Sequence, residues 1–339
     1  MNFNISRGQF FLLLFIVQSG SSFFSFPSPF INEAGRDAWL IFLVAGAFHY
    51  VMLLFFERNY RHFKIGQIVG WLYKGYWLFV SIVYLAYIDY TLAVWGFPKT
   101  PQFIVIAVLV SVSLYANLSR AETVINLSVL LIPLILLFLV FLQFAWKDLV
   151  WTNLFPVGES TSAEWTKGLL KAQLAFIGIE LYLFFRKHVD EKQKIKGRPL
   201  FVYQLVWFLF FFFSVVIVLL YFTPQGLERI PEPLLFLLKA QEVTFVERLD
   251  LFFLYIWTVW TIVTVTIISF AAMYVHRLHS TKHDKRDTII WHILLVLLPL
   301  LFLSKQSMEQ LNHLIIYVYL VFGLLVPVTV IITNRRKRK

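Results

Sequence analysis

The chain has 339 residues, 59% hydrophobic and only 14% charged, a balance that a water-soluble domain of this length could not hide from solvent. It contains no cysteine, which excludes disulfides, thiolate metal sites and cysteine nucleophiles. The net charge of +11 lies in short segments between apolar runs rather than on one face, so it argues for membrane topology and against a nucleic-acid surface.

Apolar runs able to cross about 30 Å of hydrocarbon at about 1.5 Å per residue fall at 9–34, 37–56, 71–95, 102–118, 123–145, 165–185, 200–222, 249–275, 289–304 and 310–332. The expected fold is all-α and integral to the membrane: one transmembrane domain over residues 1–339 with ten spans. Five lie in residues 1–145 and five in 165–332, ahead of a basic tail, 333–339. With the N-terminus placed in the cytoplasm, twenty of the thirty Lys and Arg fall on that side, nine on the other, and Lys74 inside the third span, so both termini are expected inside. The longer outer loops, 146–164 and 223–248, hold apolar pieces such as "PLLFLLKA" that either lie in the membrane interface or simply connect spans.

The first run contains "QSGSSFFSFPSPF", residues 18–30, where a span should keep an unbroken backbone ladder. Ser6 and Gln9 form a capping box that opens a helix, and from there to Ser19 is about 21 Å, too short to cross. Gly20 is suited to a left-handed cap, and Pro27 and Pro29 to the start of a new helix with Ser25 or Ser28 as cap. This predicts helix, unwound segment, helix, with freed backbone groups at a depth where only protein or a water-filled cavity can satisfy them. The competing structure is a proline-kinked helix whose serines bond back to the preceding turn.

The sixth run, "KGLLKAQLAFIGIELYLFFRKHV", carries a lone Gly178 near its middle and Glu180 two residues on. Gly178 marks either a second break or a close helix contact. Asp89 in the third run and Glu180 are ionisable groups within lipid-crossing segments, able to bind a ligand ammonium, relay protons, or pair with Lys74, Lys171 or Arg120. Tyr84, Tyr87 and Tyr90 either line a cavity or pack the bundle. No H-x-x-x-H zinc pair, P-loop or G-x-S-x-G elbow occurs, so no metal, cofactor or enzymatic activity is expected.

The stretch "ISRGQFFLLLFIVQSGSSFFSFPSPFINEAGRDAWL" resembles the signature of the spore germination permease family, the B subunits of GerA-type nutrient germinant receptors. So do "NLFPVGE...LLKAQLAFIGIELYLFF", "VERLDLFFLYIWTV" and the short basic C-terminus, and the resemblance runs through essentially the whole chain. That family is similar to the amino acid–polyamine–organocation transporters, which implies a LeuT-like five-plus-five inverted repeat with broken helices 1 and 6. It also usually has a proline after the glycine and glutamate of helix 6, which is missing here. The resemblance implies a receptor subunit of the spore inner membrane that binds a small nutrient and works with an A-type membrane subunit and a C-type lipoprotein. The corresponding ligand residues are Gly20, Ser21, Ser22, Phe24, Ser25, Pro27, Tyr84, Phe176, Ile177 and Gly178. The competing function is a proton-coupled amino-acid transporter with Asp89 or Glu180 as the proton site.

Overall fold

A computed structural model describes residues 3–20, 22–227, 230–241, 248–279 and 285–337, apart from the side chains of Ser22, Ser25, Pro224 and Gln225. Ser21 therefore lies outside the described residues. Among the described residues the chain is helical, with a single isolated bridge between Ile5 and Val189 and no strand. Among the described residues, seven helical runs are long and apolar enough to cross a membrane: Pro27–His62, Gln67–Trp95, Ala121–Asp148, Ser162–His188, Arg198–Tyr221, Leu249–His279 and Lys305–Arg336. Arg7–Ser19 and Gln102–Leu118 are shorter apolar helices.

In chain order the helices are α1 (Arg7–Ser19), α2 (Ser22–Ser25), α3 (Pro27–Ala34), α4 (Ala38–Asn59), α5 (Gln67–Trp95) and α6 (Gln102–Leu118). They continue with α7 (Ala121–Leu130), α8 (Ile132–Gln143), α9 (Ser162–Ala172), α10 (Leu181–Phe185), α11 (Arg198–Tyr221) and α12 (Pro224–Leu227). The last are α13 (Pro233–Lys239), α14 (Leu249–His279), α15 (Lys285–Leu297), α16 (Lys305–Tyr319) and α17 (Val326–Arg336). The capping box forms at the start of α1, where Ser6 Oγ accepts from the Gln9 amide and Gln9 Oε1 accepts from the Ser6 amide.

The bundle is built around α14. Every residue from Trp260 to Val275 is buried, as expected of a helix apolar on all sides, and α14 packs along α5, α6 and α1. Threonines fit among these apolar residues because each hydroxyl can bond within the protein; Thr266 Oγ1 donates to the Ile262 carbonyl of its own helix at 2.7 Å. Ile5 and Asn334, the one near the start and the other near the end of the described residues, lie at one end of the bundle. The Ile5 amide donates to the His188 carbonyl, and Asn334 Nδ2 donates to the carbonyls of His62 and Lys64.

"PLLFLLKA" is helical and largely buried within the bundle. It forms α13, with Leu234, Leu235, Leu237 and Leu238 fully buried against α14 and α11 at the opposite end of the bundle. Four leucines in one and a half turns give this short helix apolar surface to bury against its neighbours.

Candidate functional site

The first run is interrupted, but not as its sequence suggests. α1 ends at Ser19, and Gly20 is right-handed, with φ −52° and ψ −60°, instead of taking a left-handed cap. Glycine is required there by space, because a Cβ would overlap Thr264 Oγ1 of α14. The helix restarts at Ser22, five residues before Pro27, and bends again at Phe26, whose side chain provides no cap to α3. Ser28 is not a cap either; its Oγ donates to the Ile230 carbonyl at 2.9 Å. α14 bonds to the carbonyls at the end of α1: Thr264 Oγ1 donates at 2.9 Å to Ile16 O, which also accepts from the Gly20 amide at 2.8 Å, and Thr261 Oγ1 donates to Gly20 O at 3.2 Å.

The sixth run is interrupted without a proline. α9 tightens into a 3₁₀ turn over Gln173–Phe176, and residues 176–179 then form a type II turn, with the Ile179 amide donating to Phe176 O at 3.0 Å. Ile177 has φ −55° and ψ 124°, and Gly178, at the position that demands positive φ, has φ +103°. A Cβ on Gly178 would also lie 2.5 Å from Val17 Cγ1, so the second break is pressed against the end of α1. Glu180 is buried at this turn. Its Oε2 accepts from the Gly178 amide and its Oε1 from Trp77 Nε1, each at 3.1 Å.

The cations considered as partners for Glu180 and Asp89 lie elsewhere. Lys74 Nζ is 3.1 Å from His276 Nδ1 and covers the Trp71 ring, while Lys171 Nζ is 3.4 Å from His313 Nδ1. Asp89 is buried on α5 and joins no ion pair among the described residues. Tyr84 is buried on the same helix, within the stretch from Tyr76 to Asp89 that is buried apart from Leu78 and Phe79. Phe24 is fully buried against Trp257, with ring centroids 4.4 Å apart, and Phe253.

Between the breaks runs a buried polar chain that sequence reasoning missed. Tyr203 O–H donates to Gln18 Oε1, Gln18 Nε2 lies 2.8 Å from His49 Nε2, and His49 Nδ1 lies 2.6 Å from Gln204 Oε1. Gln204 Nε2 then donates to Gly46 O at 2.9 Å. With both amides oriented by their outer bonds, His49 must carry its proton on Nδ1 and accept at Nε2. Gln18 Nε2 also reaches Phe176 O at 3.5 Å, and His49 stacks on Trp207 with centroids 3.8 Å apart. The chain thus ties α1 to α4, α11 and the second break. Gln18 stood in the conspicuous "QSGSS" stretch; His49 and Gln204 are lone polar residues in apolar runs, the pattern that could have flagged them.

Both ends of the bundle are closed over this region. At the end that holds Ile5 and Asn334, Arg186 forms a bidentate pair with Glu57 at 2.7 and 2.9 Å, and Tyr182 O–H donates to the same carboxylate at 2.7 Å. Phe3 stacks on His188, which lies 2.8 Å from the Tyr274 hydroxyl. At the opposite end, Asp37 accepts from the amides of Gly158 and Ser160 at 2.8 and 2.9 Å, fixing the loop ahead of α9. Ile230 and α13 cover α3 and α14. Glu232, at the start of α13, is buried beside the Tyr87 hydroxyl, and burial pushes its carboxyl up to about 7.

Apolar helices of membrane length, interrupted twice where buried polar groups gather, define a multi-pass membrane protein built around paired helix breaks. The model of the spore germination protein family, the spore permeases, matches residues 4–310, and the chain belongs to that family. It is similar to the spore germination protein GerQB of Bacillus cereus, 21% identical over 274 residues that span 76% of this chain and 75% of that protein.

Proposed function

We propose that this chain is the ligand-binding membrane subunit of a spore germinant receptor in the spore inner membrane, with both termini on the spore-core side. In this reading α1–α3, α4, α5, α6 and α7–α8 make the first five spans. α9–α10, α11, α14, α15 and α16–α17 make the second five, in a LeuT-like inverted repeat. The ligand is a small, amino-acid-like nutrient held where the two breaks meet, by Gly20, Ser21, Ser22, Phe24, Ser25 and Pro27 from the first. Phe176, Ile177 and Gly178 come from the second, and Tyr84 from α5.

The observation that carries this reading is the contact between the breaks: Gly178 packs on Val17, and Gln18 reaches the Phe176 carbonyl. Helix ends there present acceptors suited to an ammonium group. The threonine hydroxyls and Gln18 now occupy them, so ligand binding exchanges internal bonds for ligand bonds and shifts α1 relative to α9. An A-type membrane subunit and a C-type lipoprotein would sense that shift. Family membership and the germination relative support the context.

The test is binding of a panel of amino acids, sugars and nucleosides to the purified chain, with germinant sensitivity of spores as the second readout. Gly20→Leu and Gly178→Leu are expected to abolish both in protein that still reaches the membrane; unchanged sensitivity in both variants would place the pocket elsewhere. Glu180, a buried carboxyl at the second break that pairs with no cation among the described residues, favours a second reading, a proton-coupled amino-acid transporter. Concentrative uptake driven by a pH gradient into proteoliposomes holding only this chain would select it.

A further inference from the structure

Away from the breaks, α1, α8 and α11 leave between them a groove of about 1380 Å³. None of the residues proposed for the ligand lines it. Along α11 it runs from Arg198 to Val216, about 27 Å of helix, close to the thickness of a hydrocarbon core. Its walls are large and apolar, with Leu136 and Val206 each more than half exposed.

Charge gathers at one mouth only, where the exposed Arg7 and Arg198 open their helices. The Arg7 guanidinium has a carbonyl partner, Lys194 O at 3.3 Å, and neither arginine joins an ion pair among the described residues. No carboxylate lines the groove among the described residues. Two guanidinium groups above a membrane-length apolar channel are complementary to a phosphodiester with acyl chains beneath it. Helix–helix contacts in membranes favour small residues, and among the described lining residues the only glycine is Gly8, at the mouth.

We propose that this groove binds an anionic phospholipid, its phosphate held by Arg7 and Arg198 and one acyl chain lying between Leu136 and Val206. The site borders the polar chain at the breaks: Tyr203 lines the groove, stacks on Phe11 with centroids 4.9 Å apart, and donates to Gln18. A lipid seated there braces α1 along the face that carries Phe11, Leu12 and Phe15. This inference holds whatever solute the breaks receive.

Native mass spectrometry of the detergent-purified full chain tests it, with phosphatidylglycerol, phosphatidylcholine or inorganic phosphate added. Phosphatidylglycerol is expected to be retained over phosphatidylcholine. Arg7→Gln with Arg198→Gln should lower that retention about tenfold or more, to the phosphatidylcholine level. Arg7→Lys with Arg198→Lys alters the same positions but keeps the charge, so it should retain most of the preference and separates charge from misfolding. Leu136→Trp with Val206→Trp should weaken both lipids by filling the groove. Equal retention of the two lipids, or a preference that survives Arg→Gln, overturns the proposal. Displacement by inorganic phosphate would make the mouth a free-phosphate site, and displacement by a co-purified membrane subunit would assign the groove to a helix; either result also overturns it.

Discussion

The two breaks interrupt their helices by different geometries and from opposite sequence signals. The first is announced by glycine, serines and prolines, yet its glycine is helical in conformation and is needed only because α14 comes too close for a side chain. The second is announced by a single glycine without a proline, and there glycine is required twice, by a positive φ and by contact with Val17. Prolines therefore mark where a helix restarts or bends. A type II turn can interrupt a helix without one, provided glycine stands at its third position.

The comparison is tested most severely at Gly178. Gly178→Ala imposes about 1–2 kcal/mol for a side chain at left-handed φ, and the overlap with Val17 adds about 1–3 kcal/mol of overpacking. The melting temperature of the purified chain should fall markedly, and Val17→Ala added to Gly178→Ala should restore only the overlap part. At Gly20 only space is at issue. Gly20→Ala should therefore cost less, and Thr264→Ala should recover most of the loss, reduced by the hydrogen bond that Thr264 Oγ1 gives to Ile16 O. Equal rescue at the two glycines would erase the distinction between conformation and space.

A smaller effect is expected from the polar chain that joins the breaks. Gln18→Leu leaves the Tyr203 hydroxyl and His49 Nε2 without their partner, about 1–3 kcal/mol for each buried group stranded. The removed Gln18 amide also approaches the Phe176 carbonyl at the second break. Hydrogen exchange should then speed up in Gln173–Ile179 as well as in α1. Faster exchange confined to α1 would mean that the breaks are independent.

Much of this was legible in the sequence, for reasons that differ along the chain. Helix positions follow from long apolar runs, and the Ser6–Gln9 cap follows from spacing, because both depend on neighbours in sequence. The first interruption was readable because two prolines and a glycine cluster within ten residues. Its partners were not: Thr261 and Thr264 lie more than 240 residues from the carbonyls they satisfy. The same applies to His49 and Gln204, 155 residues apart, whose pairing depends on how α4 and α11 meet. Ser28 was misread for a related reason, since a serine beside a proline fits a cap locally while its hydrogen bond is set by the distant Ile230.

The breaks differ finally in what covers them. Ile230 and α13 lie over the first, through Ser28 and α14, while the loop held by Asp37 precedes the second. The first cover carries Glu232, a carboxyl that titrates near neutrality. Burial pushes Glu232 up to about 7, against the opposing pull of Trp95, Tyr87 and Lys305, so the docked cover holds its proton more tightly than the undocked one. The sign follows: docking is strongest below the ordinary glutamate range near 4.5, weakens as pH rises from there through about 7, and levels off above it. Because the chain has no native cysteine, Leu235→Cys is a clean probe of α13. Its labelling rate, divided by the rate for the same cysteine in a Glu232→Gln background, cancels the thiol's own pH dependence. That ratio should climb between pH 5 and pH 8. A flat ratio would mean that Glu232 binds its proton equally well whether or not the cover is docked, and that this cover closes without regard to pH.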